Sequence, residues 1–203
     1  ELAAKYKVPV VEDGPYSELI FEGSVYPSIK SFDKEGWVIY LGTYSKTFAP
    51  GIRIGWIYAN PEILNKYIII KQGADLQCSS LDQRAVALFM KKYNLDEHIE
   101  KIIKVYRGRR DLMLESMEKY FPAGVKFTRP HGGLFAWVEL KDGLDAAEIM
   151  QECLKENVAY VPGGSFFPNG GNKNFFRMNF SCMNEEKIVE GVKRLGKVLA
   201  KYY

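Results

Sequence analysis

Residues 41–56 constrain this chain more than any other stretch: Leu41-Gly42-Thr43-Tyr44-Ser45-Lys46-Thr47-Phe48-Ala49-Pro50-Gly51-Ile52-Arg53-Ile54-Gly55-Trp56. They leave one strand-like apolar run, residues 38–41, and enter another, residues 54–58, both rich in β-branched and aromatic side chains. Between the runs a lysine stands among small hydroxyl residues, a Pro-Gly pair turns the chain, and an arginine follows seven positions after the lysine. The hydroxyls of Thr43 and Ser45 with the guanidinium of Arg53 form the donor set of a phosphate site, because arginine matches phosphate oxygens two at a time. The competing reading is an ordinary strand–loop–strand with exposed Lys46 and Arg53. The length of the pattern weighs against it.

A second segment has the same kind of address. Residues 8–11 read as a strand, and Glu12-Asp13-Gly14-Pro15-Tyr16 follows at its carboxyl end, where open α/β sheets bind ligands. Alone, this segment reads as a capped turn, since Asp, Gly and Pro are common turn formers. Two of the three runs are nearly continuous in apolar residues, which suits strands covered on both faces. Residues 80–93 then read as a helix. Ser80 with Gln83 makes a capping box, and Leu81, Ala85, Leu88 and Phe89 recur at helical spacing.

A second region begins near residue 95. Residues 97–120 form a long amphipathic pattern with Ile99, Ile102, Ile103, Tyr106, Met113 and Met117 on its apolar stripe. Lys101, Lys104, Arg107 and Arg110 fall on the opposite face, which reads as solvated, and Pro122 stops the helix. A strand at 134–140 follows, then a helix opened by Asp145 and Glu148 whose apolar side is Ile149, Cys153 and Leu154. Strands at 158–161 and 175–180 flank a Gly/Asn-rich loop. The last helix starts after Asn184, carries Glu185 and Glu186 in its first turn, and buries Ile188, Val192, Leu195 and Leu199. The expectation is an α/β fold in two parts, 1–94 and 95–203, the second an α+β small domain.

Composition narrows the function classes. The 203 residues are 47% hydrophobic and 26% charged, as in ordinary globular proteins. A net charge of +3, with both signs mixed along the chain, gives no argument for nucleic acid or membrane. No apolar run approaches a membrane span and no signal peptide opens the sequence. Cys78, Cys153 and Cys182 lack metal-ligand spacing and read as reduced thiols of a cytoplasmic protein. The opening Glu1-Leu2-Ala3-Ala4-Lys5-Tyr6 reads as the end of a helix already under way, so a fragment lacking its N-terminal part is expected.

The third chemical segment is Phe175-Phe176-Arg177-Met178-Asn179-Phe180-Ser181. An arginine inside an apolar strand is costly to bury without a partner, so either an internal carboxylate neutralises Arg177 or a ligand does. Taken with Tyr106-Arg107-Gly108-Arg109-Arg110-Asp111, with Pro130-His131-Gly132-Gly133-Leu134-Phe135-Ala136-Trp137 and with Val161-Pro162-Gly163-Gly164-Ser165-Phe166-Phe167, these segments carry a resemblance over essentially the whole chain. The sequence resembles the fold-type I pyridoxal-phosphate enzymes, specifically class I/II aminotransferases. The subgroup nearest in pattern contains 2-aminoadipate aminotransferase and the aminotransferase-like domains of GntR/MocR-type transcription regulators. The Ser-Lys…Pro-Gly-x-Arg-x-Gly run is its most specific piece.

That resemblance implies the C-terminal part of a large pyridoxal-phosphate-binding domain followed by a small α+β domain. It implies pyridoxal 5′-phosphate as cofactor and transfer of an amino group between an α-amino acid and a 2-oxo acid. Asp13 would pair with the pyridine nitrogen, Tyr16 with the phenolic oxygen, and Lys46 would form the Schiff base. Thr43, Ser45 and Arg53 would anchor the phosphate, and Arg177 would clamp the substrate α-carboxylate. The family's upstream phosphate loop, cofactor-positioning asparagine and ring-stacking aromatic have no counterpart in these residues, so weak or absent catalysis is expected of the isolated polypeptide. A full-length homodimer is implied. A regulator's effector domain and a lyase on the same fold are the rival functions. Arg177 favours transamination over the lyase. His131 reads as a loop residue and His98 as structural; no metal site is expected.

Overall fold

The computed structural model describes all 203 residues, which pack as two compact units, Glu1–Ile102 and Ile103–Tyr203. The division falls inside one long helix, α4 (Leu95–Tyr120).

The first unit is built on three strands in the order β1 (Val10–Asp13), β2 (Val38–Thr43) and β3 (Gly55–Tyr58). β1 runs parallel to β2, with Val10 opposite Val38 and Asp13 opposite Leu41, and β3 runs antiparallel to β2. A short helix, α1 (Leu2–Tyr6), precedes β1. Helices α2 (Pro61–Ala74) and α3 (Ser80–Lys92) follow β3. The start of α2 has a local cause: the Asn60 side chain accepts from the Ile63 amide and Pro61 occupies the first turn, where its missing N–H costs nothing.

The parallel pair needs a crossover, and residues 14–37 supply it without a long helix. Two carboxylates hold it down. Glu12 accepts from the Ile29 and Lys30 amides at 2.9 Å each, and so stitches the 3-10 turn Ile29–Phe32 to β1. Asp33 accepts from the amides of Gly36, Trp37 and Val38 and from the Lys30 ammonium at 2.8 Å. Lys30 also donates to the Val38 carbonyl and stands over the Tyr58 ring.

The second unit carries the rest of α4 and a four-stranded antiparallel sheet in the order β4 (Lys126–Phe127), β5 (Phe135–Glu139), β7 (Phe175–Asn179), β6 (Val161–Pro162). Helices α5 (Ala146–Lys155) and α6 (Glu185–Leu199) complete it. The sheet alternates strictly: Ala136, Val138, Phe176 and Met178 are buried, while Phe135, Trp137, Phe175 and Arg177 stand on the other, half-exposed face. The core contains Ile149 and Cys153 of α5 and Ile188, Val192, Leu195 and Leu199 of α6, as spacing led one to expect, whereas Leu154, expected beside Ile149 and Cys153, is 46% exposed.

Several expectations are corrected. The cap of α3 is Ser79, whose side chain accepts from the Asp82 amide, and not Ser80 with Gln83. Leu81 is 78% and Leu88 51% exposed; Val86 is the buried side chain of that helix. β1 is not covered on both faces, for Val10 and Val11 are exposed. Arg110 does not belong to a solvated face: it is only 5% exposed, pairs with Asp111, and donates to the Pro130 carbonyl at 2.6 Å. The strand expected at 158–161 shrinks to Val161–Pro162 because residues 156–158 terminate α5. Their amides return to Cys153 and Leu154, and Asn157 adopts the left-handed conformation (φ 56°).

Candidate active site

The first unit gathers its polar groups where β1 and β2 end. Asp13 is the last residue of β1, beside Leu41, with an exposed carboxylate. Its neighbour Glu12 points to the other face, as alternation requires, and is consumed by the crossover. The chain leaves the strand through Gly14, whose amide donates to the Leu41 carbonyl at 3.0 Å. The Tyr40 hydroxyl lies so close beneath Gly14 that a Cβ there would overlap it. Tyr16 follows in this turn.

β2 ends at Thr43. The Thr43 hydroxyl donates to the Ile54 carbonyl at 3.2 Å and accepts from the Ser45 amide at 3.1 Å. The Tyr44 amide donates to the same Ile54 carbonyl, so one acceptor ties the Lys46 turn to the residue after Arg53. The turn then winds once helically, with the Phe48 and Ala49 amides both returning to the Tyr44 carbonyl. Buried Thr47 and the Phe48 ring, 4.5 Å from that of Phe89, anchor it. His98 packs edge-on against both rings, a structural position.

Lys46 emerges half-buried from this anchored turn, with its ammonium 5.8 Å from the centroid of the Tyr16 ring. This contact joins the two sequence segments. Arg53 follows the 3-10 turn Pro50–Ile52 in the left-handed conformation (φ 55°) and donates to the Pro50 carbonyl at 3.1 Å. An L-residue with a Cβ pays roughly 1–2 kcal/mol for that backbone, so the turn around it must dictate the geometry. The Ser45 side chain is half-buried beside Lys46.

A cleft of about 790 Å³ opens in this unit, but not around Asp13. Its lining residues Tyr40, Gly42, Trp56 and Tyr58 belong to the sheet face opposite Asp13 and Leu41. Thr43, Tyr44 and Thr47 reach it from the Lys46 turn. Glu18, which sequence reading passed over, also lines it. Desolvation first, and then Asp96, push its carboxyl above the usual carboxylate range.

In the second unit, Arg177 is the central residue of β7, opposite Trp137 of β5 and Val161 of β6. Its guanidinium carbon stands 4.0 Å from the centroid of Phe135 and 4.6 Å from that of Phe166. Its Nε is buried without a hydrogen-bond partner, and no carboxylate of the chain pairs with the group. His131 lies in the loop before β5.

An α/β unit with amine, carboxylate, hydroxyl and guanidinium groups at the carboxyl ends of its strands is a ligand-binding sheet of the open type. The family model "Aminotransferase class I and II" matches residues 1–195, and the chain belongs to that family. It is 46% identical over 199 residues to aromatic-amino-acid aminotransferase 1 of Thermococcus litoralis, covering 98% of this chain and 48% of that protein. Its structure superposes with a TM-score of 0.94 on alpha-aminoadipate aminotransferase from Thermus thermophilus, complexed with N-(5′-phosphopyridoxyl)-L-leucine, at 40% identity, covering 98% of this chain and 52% of that one. The TM-score is again 0.94 with Pyrococcus horikoshii kynurenine aminotransferase, at 45% identity and with coverage of 99% and 50%. The chain thus spans about half the length of the relatives it matches.

Proposed function

We propose that this chain works as part of a pyridoxal-phosphate-dependent aminotransferase that moves an amino group between an α-amino acid and a 2-oxo acid. The observation that carries the reading is the juxtaposition of Lys46, in the turn after β2, with the Tyr16 ring, in the turn after β1, the strand that ends at Asp13.

The donor set fits the cofactor group by group. Asp13 offers a carboxylate to a basic ring nitrogen, Tyr16 a phenol to the ring oxygen, and Lys46 an amine to the aldehyde. Ser45 and Arg53 offer a hydroxyl and a guanidinium to the phosphate, and the Thr43 hydroxyl, which donates to the Ile54 carbonyl, would join them by turning from that acceptor. Bound there, pyridoxal phosphate supplies an electron sink for the pair left when the amino acid loses its α-proton. Asp13 would hold the proton on the ring nitrogen; a carboxylate and a cationic ring nitrogen in contact gain roughly 5 kcal/mol at an effective dielectric near 20, before desolvation. Lys46 would be the covalent anchor, and its free amine would hold the proton moved at the substrate Cα. Arg177 would receive the substrate carboxylate through its guanidinium, which matches the two carboxylate oxygens and sits in an apolar strand face. In this reading residues 1–94 are part of a large cofactor-binding domain and 95–203 a small C-terminal domain, a boundary a few residues before the division of the two compact units at Ile102 and Ile103.

The free cysteines agree with a reducing, cytoplasmic setting, and no helix is long and apolar enough to cross a membrane. A homodimer is the assembly we propose for the full-length protein.

The test is borohydride fixation of pyridoxal phosphate in the protein carrying this chain, followed by peptide mapping. The label is expected on Lys46 and is expected to vanish in Lys46→Ala along with the visible absorbance band. A label on another lysine, or a band that survives the substitution, overturns the assignment. Cofactor binding without conversion by any amino acid would instead mark an effector domain.

A further inference from the structure

We propose that Phe166 and Phe135 are positioning residues that hold the Arg177 guanidinium between their rings, so that a carboxylate is taken end-on by its two terminal nitrogens. This rests on the reading of Arg177 as the carboxylate clamp. The outer face of the β5–β7 ladder would ordinarily be polar, because the opposite face packs the core. Here it is aromatic. Trp137 lies edge-on to Phe166 with centroids 5.6 Å apart and stacks on Phe175 at 5.9 Å, and Phe167 packs against Phe175 at 5.3 Å. A single cation stands in this surface, its carbon 4.0 Å from one ring centroid and 4.6 Å from another. Rings at that distance attract the cation through their faces and keep water from them.

Phe166 is delivered by the short turn that follows β6. The Gly163 amide donates to the Phe175 carbonyl at 2.6 Å, and a Cβ on Gly163 would overlap the Phe175 backbone. The 3-10 turn Gly164–Phe166 can therefore lie directly on β7 and bring its last side chain over Arg177. With Nε covered and unpartnered, the fork of Nε and one terminal nitrogen is closed to an incoming ligand. The two Nη atoms remain, and their separation matches the oxygens of a carboxylate. The rings thus select one of the two bidentate modes open to arginine and fix the plane in which the carboxylate lies.

The experiment uses the protein carrying this chain, labelled with 15N-arginine, with propionate as the probe and propionamide as the neutral control. Phe166 is 47% exposed, so its replacement leaves the core intact. In Phe166→Ala, the Arg177 Nε–H is expected to exchange with water several-fold faster and propionate to bind about five-fold more weakly. Phe166→Tyr keeps the ring and is expected to restore both. Unchanged exchange and affinity in Phe166→Ala, or a Phe166→Tyr variant as impaired as the alanine, overturns the proposal. Arg177→Met separates the two readings. If it leaves propionate binding intact, the clamp itself is wrong. If it abolishes binding while Phe166→Ala does not, only the positioning role falls.

Discussion

Asp33 shows how much a single buried carboxylate can organise. Desolvation acts to raise its pKa, but the Lys30 ammonium and the Val38 and Trp37 amides outweigh it and hold the group well below the usual carboxylate range. Because the folded-state pKa is depressed, its contribution to stability is present above the unfolded value near 3.9 and is lost as pH falls towards the folded one. Asp33→Ala strands three amides and an ammonium, so a loss on the order of 2–4 kcal/mol is expected at pH 7. Denaturant titrations at several pH values should show the gap between variant and parent narrowing below pH 4; a constant gap would rule this account out. None of this was legible beforehand, because the partners of Asp33 are backbone groups that the fold brings to it. Lys46, Asp13 and Arg53 were legible as a pattern. The left-handed backbone of Arg53 was not, since no glycine marks it.

At the scale of elements, legibility followed one-sided burial. α6 has a single apolar stripe, and Ile188, Val192, Leu195 and Leu199 are all buried as spacing required. Its Asn184 cap accepts from the Lys187 amide at 3.0 Å, and Asn184→Ala is expected to cost about 1 kcal/mol in thermal or denaturant unfolding. An unchanged midpoint would mean that the amide finds water at no cost. α3 misled because its apolar residues exceed what this chain covers, and which of them are buried depends on neighbours rather than periodicity. The cap lies one residue earlier than spacing placed it, on Ser79, whose side chain accepts from the Asp82 amide. Arg110 misled because charge alone reads as solvent, whereas a carbonyl and an adjacent carboxylate satisfy it in the interior.

For the whole molecule, the first unit leaves Ile68, Ile69 and Ile70 of α2 exposed together with Leu81, Leu88, Val10 and Val11. Scattered apolar side chains are normal on surfaces, but three consecutive isoleucines around one helix are not. The 203-residue polypeptide is therefore expected to bind an apolar fluorescent dye while natively folded, and Ile69→Lys to lower that signal. No dye binding by the folded polypeptide would show that these side chains find cover. The two units also differ in how their sheets close. In the second, β4–β5 and β6–β7 close over the short segments 128–134 and 163–174, whereas β5–β7 forms only after residues 140–174, and β1–β2 of the first only after residues 14–37, have been drawn into a loop. Loop-closure entropy is lost before the pairing repays it. The Glu12 and Asp33 attachments are therefore set to act on the clock of folding as much as on its endpoint, and their loss should slow refolding of the first sheet more than it speeds unfolding.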